Sequence, residues 1–503
     1  MTSRRQFLNL GGQSLVALAG SGLLVPETAG LANAQNNLNG NQSPATNVDV
    51  IVVGAGLSGL MAARTLRKAG KTVTVLEARA RVGGRMVSTK TIEDGVVDLG
   101  GQWVGPTQTR FLAILDEFKI KRFDSYYDGK SVFVWNDKKV LANLAKDYDK
   151  SLLFFEPSEL PFSPEDLLAT KELNQKLAKI VAQVNRDKPW LTPNAKVLDS
   201  QTIHTWADQN SRSEIAKFTI EWLTRVGGEG GFEPSEASML HLAWKQAVAP
   251  QSELPETWII DGGAGQVAIR VAQKLNDSIQ LNAPVRSIEY AEKMVKVTVK
   301  SGVTYTAKSV IVAVPPPLRM GIEFSPPLPA QISGFIQRSP MGSIIKVNAV
   351  YPTAFWRSQG LSGMGIGNLP LLELTADSSP PSGKPGILTT FVSSNKAVNL
   401  GLLNAEDRRQ AIMSDLVKYW GPQAANPAHF YEANWPNEQW TRGAYTNFVT
   451  PGTWTAFGPA WREPIGPIIW AGTEVSTRWP GYFEGAIRAG ESAAELALDK
   501  MLS

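Results

Sequence analysis

The chain of 503 residues contains no cysteine. That excludes disulfides, thiolate nucleophiles and metal centres built on sulfur. Histidine is nearly as scarce: His204, His241 and His429 are scattered and cannot form a metal site of the usual ligand spacing, so no metal is expected. The formal net charge is only +4 and no basic run stands out. This leaves no footprint for nucleic acid or for a polybasic membrane contact. The chain ends at Ser503 after an amphipathic helical pattern, so no C-terminal membrane anchor is expected. The composition that remains, 43% hydrophobic and 19% charged, is that of an ordinary globular protein long enough for two or three domains.

The first segment reads as an address rather than as fold. Ser3-Arg4-Arg5-Gln6-Phe7-Leu8 has the form of a twin-arginine export signal, and an apolar stretch from Leu15 to Val25 follows it. That stretch is too short and glycine-rich to span a bilayer, which takes ~20 apolar residues. Ala32-Asn33-Ala34 then offers a small-x-small cleavage site. Residues 1–34 are therefore expected to be a signal peptide and 35–47 a solvated linker. The destination is a periplasmic or lumen-like compartment, or the exterior.

Beyond it, β-branched runs at Val48–Val53 and Lys71–Leu76 flank a helical pattern at Leu57–Ala69, one βαβ unit with a glycine turn. Strands are also expected within 284–300, from Ser309 to Val314 and at Pro467–Trp470, the last running into a long helix from Gly481 to Met501. The fold class is α/β combined with α+β. A Rossmann-type domain is assembled from 48–123, 258–335 and 438–503, and a mixed-sheet and helical substrate domain from 124–257 and 336–437.

Gly54-Ala55-Gly56-Leu57-Ser58-Gly59 follows a strand and opens a helix, the context in which such a turn binds a dinucleotide. Gly54 permits the tight turn, Gly56 lets the backbone approach a pyrophosphate, and Gly59 allows close helix–strand packing. The helix N-terminus offers unpaired N–H groups to the phosphates. Glu77 closes the second strand, placed to accept hydrogen bonds from a ribose and to disfavour a 2′-phosphate.

The run Glu77-Ala78-Arg79-Ala80-Arg81-Val82-Gly83-Gly84-Arg85 resembles the second signature of the flavin amine oxidase superfamily. The resemblance then covers nearly the whole chain after the export segment. Gly100-Gly101-Gln102-Trp103 is similar to the family segment beneath the flavin ring, and Pro284-Val285-Arg286 to the one whose backbone contacts the adenine side. Ala471-Gly472-Thr473-Glu474 and Trp479-Pro480-Gly481-Tyr482-Phe483-Glu484 resemble the flavin monoamine oxidase fingerprint. Glu484 reads equally well as a buried helix-capping acid. The resemblance implies FAD as cofactor. Ala444 stands where animal members carry the cysteine that bonds the flavin, so attachment should be non-covalent.

For catalysis the resemblance points to Lys346, in Met341-Gly342-Ser343-Ile344-Ile345-Lys346, as the lysine that reaches through a water towards the flavin. An ammonium there can stabilise developing negative charge and orient water. Tyr445 and Tyr482 fit the family's aromatic cage, while Trp435 and Trp440 read as cofactor wall or as core. The implied reaction is oxidation of an amine carbon–nitrogen bond to an imine, then a carbonyl compound, with oxygen or a quinone-type acceptor taking the electrons. A homodimer is in keeping with the resemblance, although nothing in the sequence requires it.

The nearest rival is an L-amino-acid oxidase or dehydrogenase on the same fold, which needs a cation for the substrate carboxylate. Arg110, Arg442 and Arg478 are the candidates, each also readable as a surface or cofactor-pairing arginine. For a diamine or basic amino acid, Glu373 is the acid proposed to meet the far end. Carotenoid desaturases and protoporphyrinogen oxidases share the N-terminal signatures but not the lysine and tyrosine segments. A redox-silent flavin-binding protein would lack a use for them.

Overall fold

A computed structural model describes residues 46–91, 95–146, 152–228, 230–249 and 254–502. The export signal, its cleavage site and the linker as far as residue 45 lie outside the described residues.

Two large sheets organise the chain. The first runs in the order Ile279–Gln280, Val73–Leu76, Asn47–Val53, Thr304–Val312, Met294–Val299, Val285–Ala291, Glu323–Ser325, with Ile468–Trp470 also pairing with Thr304–Val312. Its centre is parallel: Asn47–Val53 pairs with Val73–Leu76 on one side and Thr304–Val312 on the other. Strands covered on both faces carry continuous apolar runs rather than alternation, and Val50, Ile51 and Val52 are fully buried. The arm Val285–Ala291, Met294–Val299 and Thr304–Val312 is antiparallel. Its alternation is clean, with Val295, Val297 and Val299 buried and Met294 and Lys296 exposed.

The second sheet runs His429–Asn434, Ile344–Tyr351, Gly386–Ser393, Leu372–Asp377, Leu361–Gly367, Lys130–Trp135, Lys138–Ala142. Ile344–Tyr351 is buried along its whole length, because it sits between two strands and is covered on both faces. Pro164–Gln183, Ile203–Asn210, Glu214–Arg225 and Met239–Val248 pack on one another as a helical layer, and Glu214–Arg225 meets this sheet through Ile215, Phe218 and Trp222. Three of these helices begin at a serine or threonine whose side chain accepts an N–H of the first turn: Ser163, Thr202 and Ser213. The molecule is thus a mixed α/β protein with several sheets.

The helix of the glycine turn, Leu57–Lys68, packs along the final helix, Phe483–Leu502. The approach is close because a small residue lies at the crossing: a Cβ on Gly490 would stand 2.1 Å from the Ser58 carbonyl oxygen. On the opposite side of the first helix, a Cβ on Gly59 would fall 1.9 Å from the Gly54 carbonyl oxygen. Gly490→Val should therefore overpack the crossing at a cost of about 1–3 kcal/mol and loosen the turn beside it. A lower thermal midpoint and weaker cofactor retention are expected; unchanged values for both would show that the helices can separate without consequence.

Candidate active site

A cavity of about 580 Å³ is lined by residues of the second sheet, of the helical layer, and of the loops that follow strands of the first sheet, such as Gly54, Glu77, Ala313 and Gly472. At the glycine turn, Gly54 has φ +99°, a conformation open to glycine, with Ala313 too close to admit a side chain without adjustment. A Cβ on Gly56 would meet nothing within 4 Å, so the backbone there faces open cavity. No side chain caps the helix that starts at Leu57, which leaves its first N–H groups for a ligand. The buried Glu77 carboxylate accepts the N–H of Ala55 at 2.8 Å and that of Arg79 at 2.9 Å, tying the turn to the end of the second strand. Ser58 and Glu77 line the cavity, whereas Ala55, Gly59 and Ala78 are not part of its lining.

Arg79 and Arg85 also face the cavity. Arg79 donates to Thr441 Oγ1 at 2.6 Å and pairs with Glu438. Arg85 donates to the Tyr445 carbonyl at 2.6 Å and lies 2.7 Å from Glu474 Oε1, so Glu474 acts behind the wall. Gly84, Gly100, Gly101, Gln102, Trp103, Trp435, Gly472, Thr473 and Gly481 are all in the lining. Trp435 Nε1 donates to the Leu99 carbonyl at 3.0 Å, and Thr473 Oγ1 accepts the Gly481 N–H at 2.7 Å. Glu484 is fully buried, accepting the Phe111 N–H at 2.9 Å and Arg488 Nε at 2.7 Å, which is structural work away from the cavity.

Lys346 sits mid-strand directly opposite Phe391, and side chains directly opposite on paired strands share a face. Both line the cavity. Lys346 Nζ donates to the Gly100 carbonyl at 2.7 Å and to Gln102 Oε1 at 2.5 Å. It lies 5.5 Å from the centre of the Trp103 ring. Burial pushes its ammonium down to about 7, while the charge of Asp98 pulls it back up. Asp98 responds in the opposite sense, its carboxyl raised by burial.

Tyr445 and Tyr482 line the same cavity. The Tyr445 ring meets Phe391 edge-on at 5.7 Å, and the Tyr482 ring meets Trp479 edge-on at 4.9 Å. Burial, aided by the charge of Glu256, holds the Tyr445 phenol well above its ordinary range. Lys245, buried in the helix Met239–Val248, donates to the Pro480 carbonyl at 2.9 Å and steadies the turn that presents Tyr482.

Several expectations require correction. Val285 does not line the cavity; its strand pairs it with Val299 in the antiparallel arm. Arg442 and Arg478 are exposed and outside the lining, Arg442 in a turn with φ +60°. Arg110 is also exposed, 3.4 Å from Glu491. None of the three is available to a carboxylate in the cavity. Glu373 is buried on the wrong face. In the strand Leu372–Asp377 it is Leu374 and Ala376 that face the cavity, and alternation sends Glu373 to the other side. There it meets Arg225 Nε at 2.8 Å and Lys396 Nζ at 2.8 Å.

The structure adds residues with no sequence signature. Tyr127, Trp222, Gly228, Glu256 and Phe391 line the cavity, and the Tyr482 hydroxyl stands where a side chain on Gly228 would have to go. Each comes from a separate element, without the local spacing that marked the glycine and arginine runs.

Comparison with known proteins places this arrangement. Residues 57–498 match the model of the flavin containing amine oxidoreductase family, and the chain belongs to that family. It is 40% identical to an L-amino acid dehydrogenase of Synechocystis sp. over 90% of this chain and 95% of that protein. It is 38% identical to a putrescine oxidase of Kocuria rosea, over 89% and 94% respectively. Among solved structures, cyclohexylamine oxidase from Brevibacterium oxydans superposes with a TM-score of 0.83 at 30% identity, covering 91% of this chain and 100% of that one. The protein is an FAD-dependent oxidoreductase that oxidises an amine carbon–nitrogen bond.

The residues present fit FAD. The open backbone at Gly56 and the uncapped helix suit a pyrophosphate, with Arg79 and Arg85 supplying positive charge in the same cavity. Ala444 lines the cavity and the chain has no thiol, so the cofactor is held non-covalently.

The placement of Glu373 can be tested directly. Glu373→Gln should take the charged partner from Lys396 and leave Arg225 with Glu221 alone, a loss of about 1.5–3 kcal/mol. Lower thermal stability with an unchanged KM for any amine is expected; a raised KM at unchanged stability would return Glu373 to the substrate site.

Proposed function

We propose that Lys346, Tyr445 and Tyr482 form the reacting end of the cavity and that the substrate is a free amine. The observation that carries this reading is a desolvated lysine in one wall with two tyrosines and Phe391. FAD, when bound, supplies the two-electron acceptor for the C–H bond α to nitrogen. The protein's own part is to bind, orient and manage protons. The aromatic wall lowers local polarity and so favours the neutral amine, whose lone pair assists loss of the α-hydrogen; the ring faces still attract a cation on its way in. Lys346, anchored on Gly100 and Gln102, holds a proton close to neutral pH and orients a water for hydrolysis of the imine. Oxygen or a quinone-type acceptor then takes the electrons.

A second reading, an L-amino-acid oxidase or dehydrogenase, is favoured by the similarity to the Synechocystis dehydrogenase. It requires a cation for the substrate carboxylate. With Arg110, Arg442 and Arg478 turned outward, the exposed Lys146 is the cation in the lining not engaged by the glycine turn or by Lys346's own site.

Anaerobic mixing of the holoprotein with monoamines, diamines and L-amino acids should bleach the flavin spectrum with at least one class. Failure of every class, with FAD bound, removes the amine reading. With the reactive class, Lys346→Met should keep FAD and lose about 10²-fold in rate; unchanged half-reaction rates would remove the role given to Lys346.

We also infer export by the twin-arginine route, from Arg4-Arg5 and the apolar stretch behind them. Replacing both arginines with lysine should leave the protein in the cytoplasm with its signal uncleaved. Undiminished export of that variant would contradict the assignment.

A further inference from the structure

The cavity contains an acid that neither the glycine turn nor the lysine employs. Glu256 lines it alongside Tyr127 and Tyr445. The chain around it is fastened. Ser125 Oγ donates to the Glu256 carbonyl at 2.6 Å and Tyr127 Oη does so at 3.3 Å. Ser125 N–H donates to the Thr257 carbonyl at 2.9 Å, and Thr257 Oγ1 to the Leu254 carbonyl at 2.6 Å. The carboxyl is therefore carried on a positioned backbone, not on a loose rim.

No lysine, arginine or histidine among the described residues pairs with it. The contrast with the other acids near the cavity is sharp. Glu373, Glu438 and Glu474 each meet an arginine, and Glu77 is satisfied by two backbone N–H groups. Glu256 is half-buried by surface, yet enough protein surrounds it that desolvation raises its carboxyl to about 7. It is also close enough to Tyr127 and Tyr445 for its charge to raise both phenols. A desolvated acid without a cation is costly in the empty protein, and a cationic ligand recovers that cost as binding energy.

We propose that Glu256 receives the distal cation of a substrate bearing a second basic nitrogen, an ammonium or a guanidinium, beyond the amine that is oxidised. The proposal rests on the amine-oxidation reading and narrows it to dibasic substrates. Tyr445 belongs both to the aromatic wall and to the surroundings of Glu256, so one extended molecule can place its reacting nitrogen by the tyrosines and its far nitrogen on the carboxylate. The same chemistry is offered by diamines and by basic L-amino acids. Glu256 is thus a specificity-determining residue, in the role that Glu373, facing away, cannot take.

The test uses holoenzyme and chain-matched pairs: 1,4-diaminobutane against 1-aminobutane, and L-lysine against L-norleucine. In at least one pair the dibasic member should have the higher kcat/KM by about 10–100-fold, the range of a charge-assisted hydrogen bond. The pair that shows it identifies the source. In Glu256→Gln that ratio should fall to within about threefold of unity, chiefly through KM, while Glu256→Asp, which keeps the charge, should retain a ratio above that of the Gln variant. Flavin absorbance of each variant checks that the fold survives; should Glu256→Gln not retain FAD, the wild-type and Asp ratios decide. Equal rates for both members of each pair in wild type, or an undiminished ratio in the Gln variant, would overturn the assignment while leaving amine oxidation intact. Absence of flavin reduction by all four compounds and by every other amine would instead bring down the underlying reading.

Discussion

Much of the site depends on how closely the two ends of the described chain meet at Ser58. Its hydroxyl accepts the Gly472 N–H at 2.9 Å, and its carbonyl faces Gly490 at a distance no larger residue allows. This contact sets the C-terminal segment against the glycine turn, and the turn in turn is held by the Glu77 carboxylate. From the segment thus fixed come Glu474, which braces Arg85, and the turn that presents Tyr482. Residues more than 400 positions apart in the chain share one wall because two helices pack on a glycine.

Charge is distributed around the cavity by strand alternation. Ile344, Lys346 and Phe391 face inward from adjacent strands, and so do Leu374 and Ala376. The opposite face of the same sheet collects Glu373 with its two cations. Lys346 is consequently surrounded by rings and carbonyl oxygens, with Asp98 as the acid that acts on it. An ammonium in that setting costs enough solvation to sit near neutrality, which suits a group that must both hold and release a proton.

The parts legible in the sequence were those in which chemistry is written locally. The glycine turn, the arginine run and the two C-terminal motifs are contiguous stretches, and the structure gathers most of their residues around one cavity. Lys346 was legible because the contiguous segment Met341–Lys346 resembles the family's lysine segment, although the structure sets it within a buried strand and not at a strand end. What escaped was what depends on pairing between distant elements. The partners of Glu373 come from a helix 148 positions before it and another 23 after it, and no local pattern announces them. The outward turn of Arg442 follows from a tight turn at φ +60°, while Val285 packs half-buried against the core at the start of an antiparallel ladder. Glu256 lies in an acid- and proline-containing loop that reads as solvated surface. Only the fold reveals that it borders the interior.

The strand Leu372–Asp377 already carries a register irregularity against its neighbour, between Leu372 and Thr375. With a side-chain period of two, a slip of one residue there would exchange the faces of Glu373 and Leu374. It would deliver a carboxylate to the cavity and leave Arg225 and Lys396 facing a leucine. The polarity of the substrate chamber on this scaffold is therefore a property of backbone phase as much as of side-chain identity. A single insertion or deletion in this strand could rewrite substrate preference without changing any residue already in the wall.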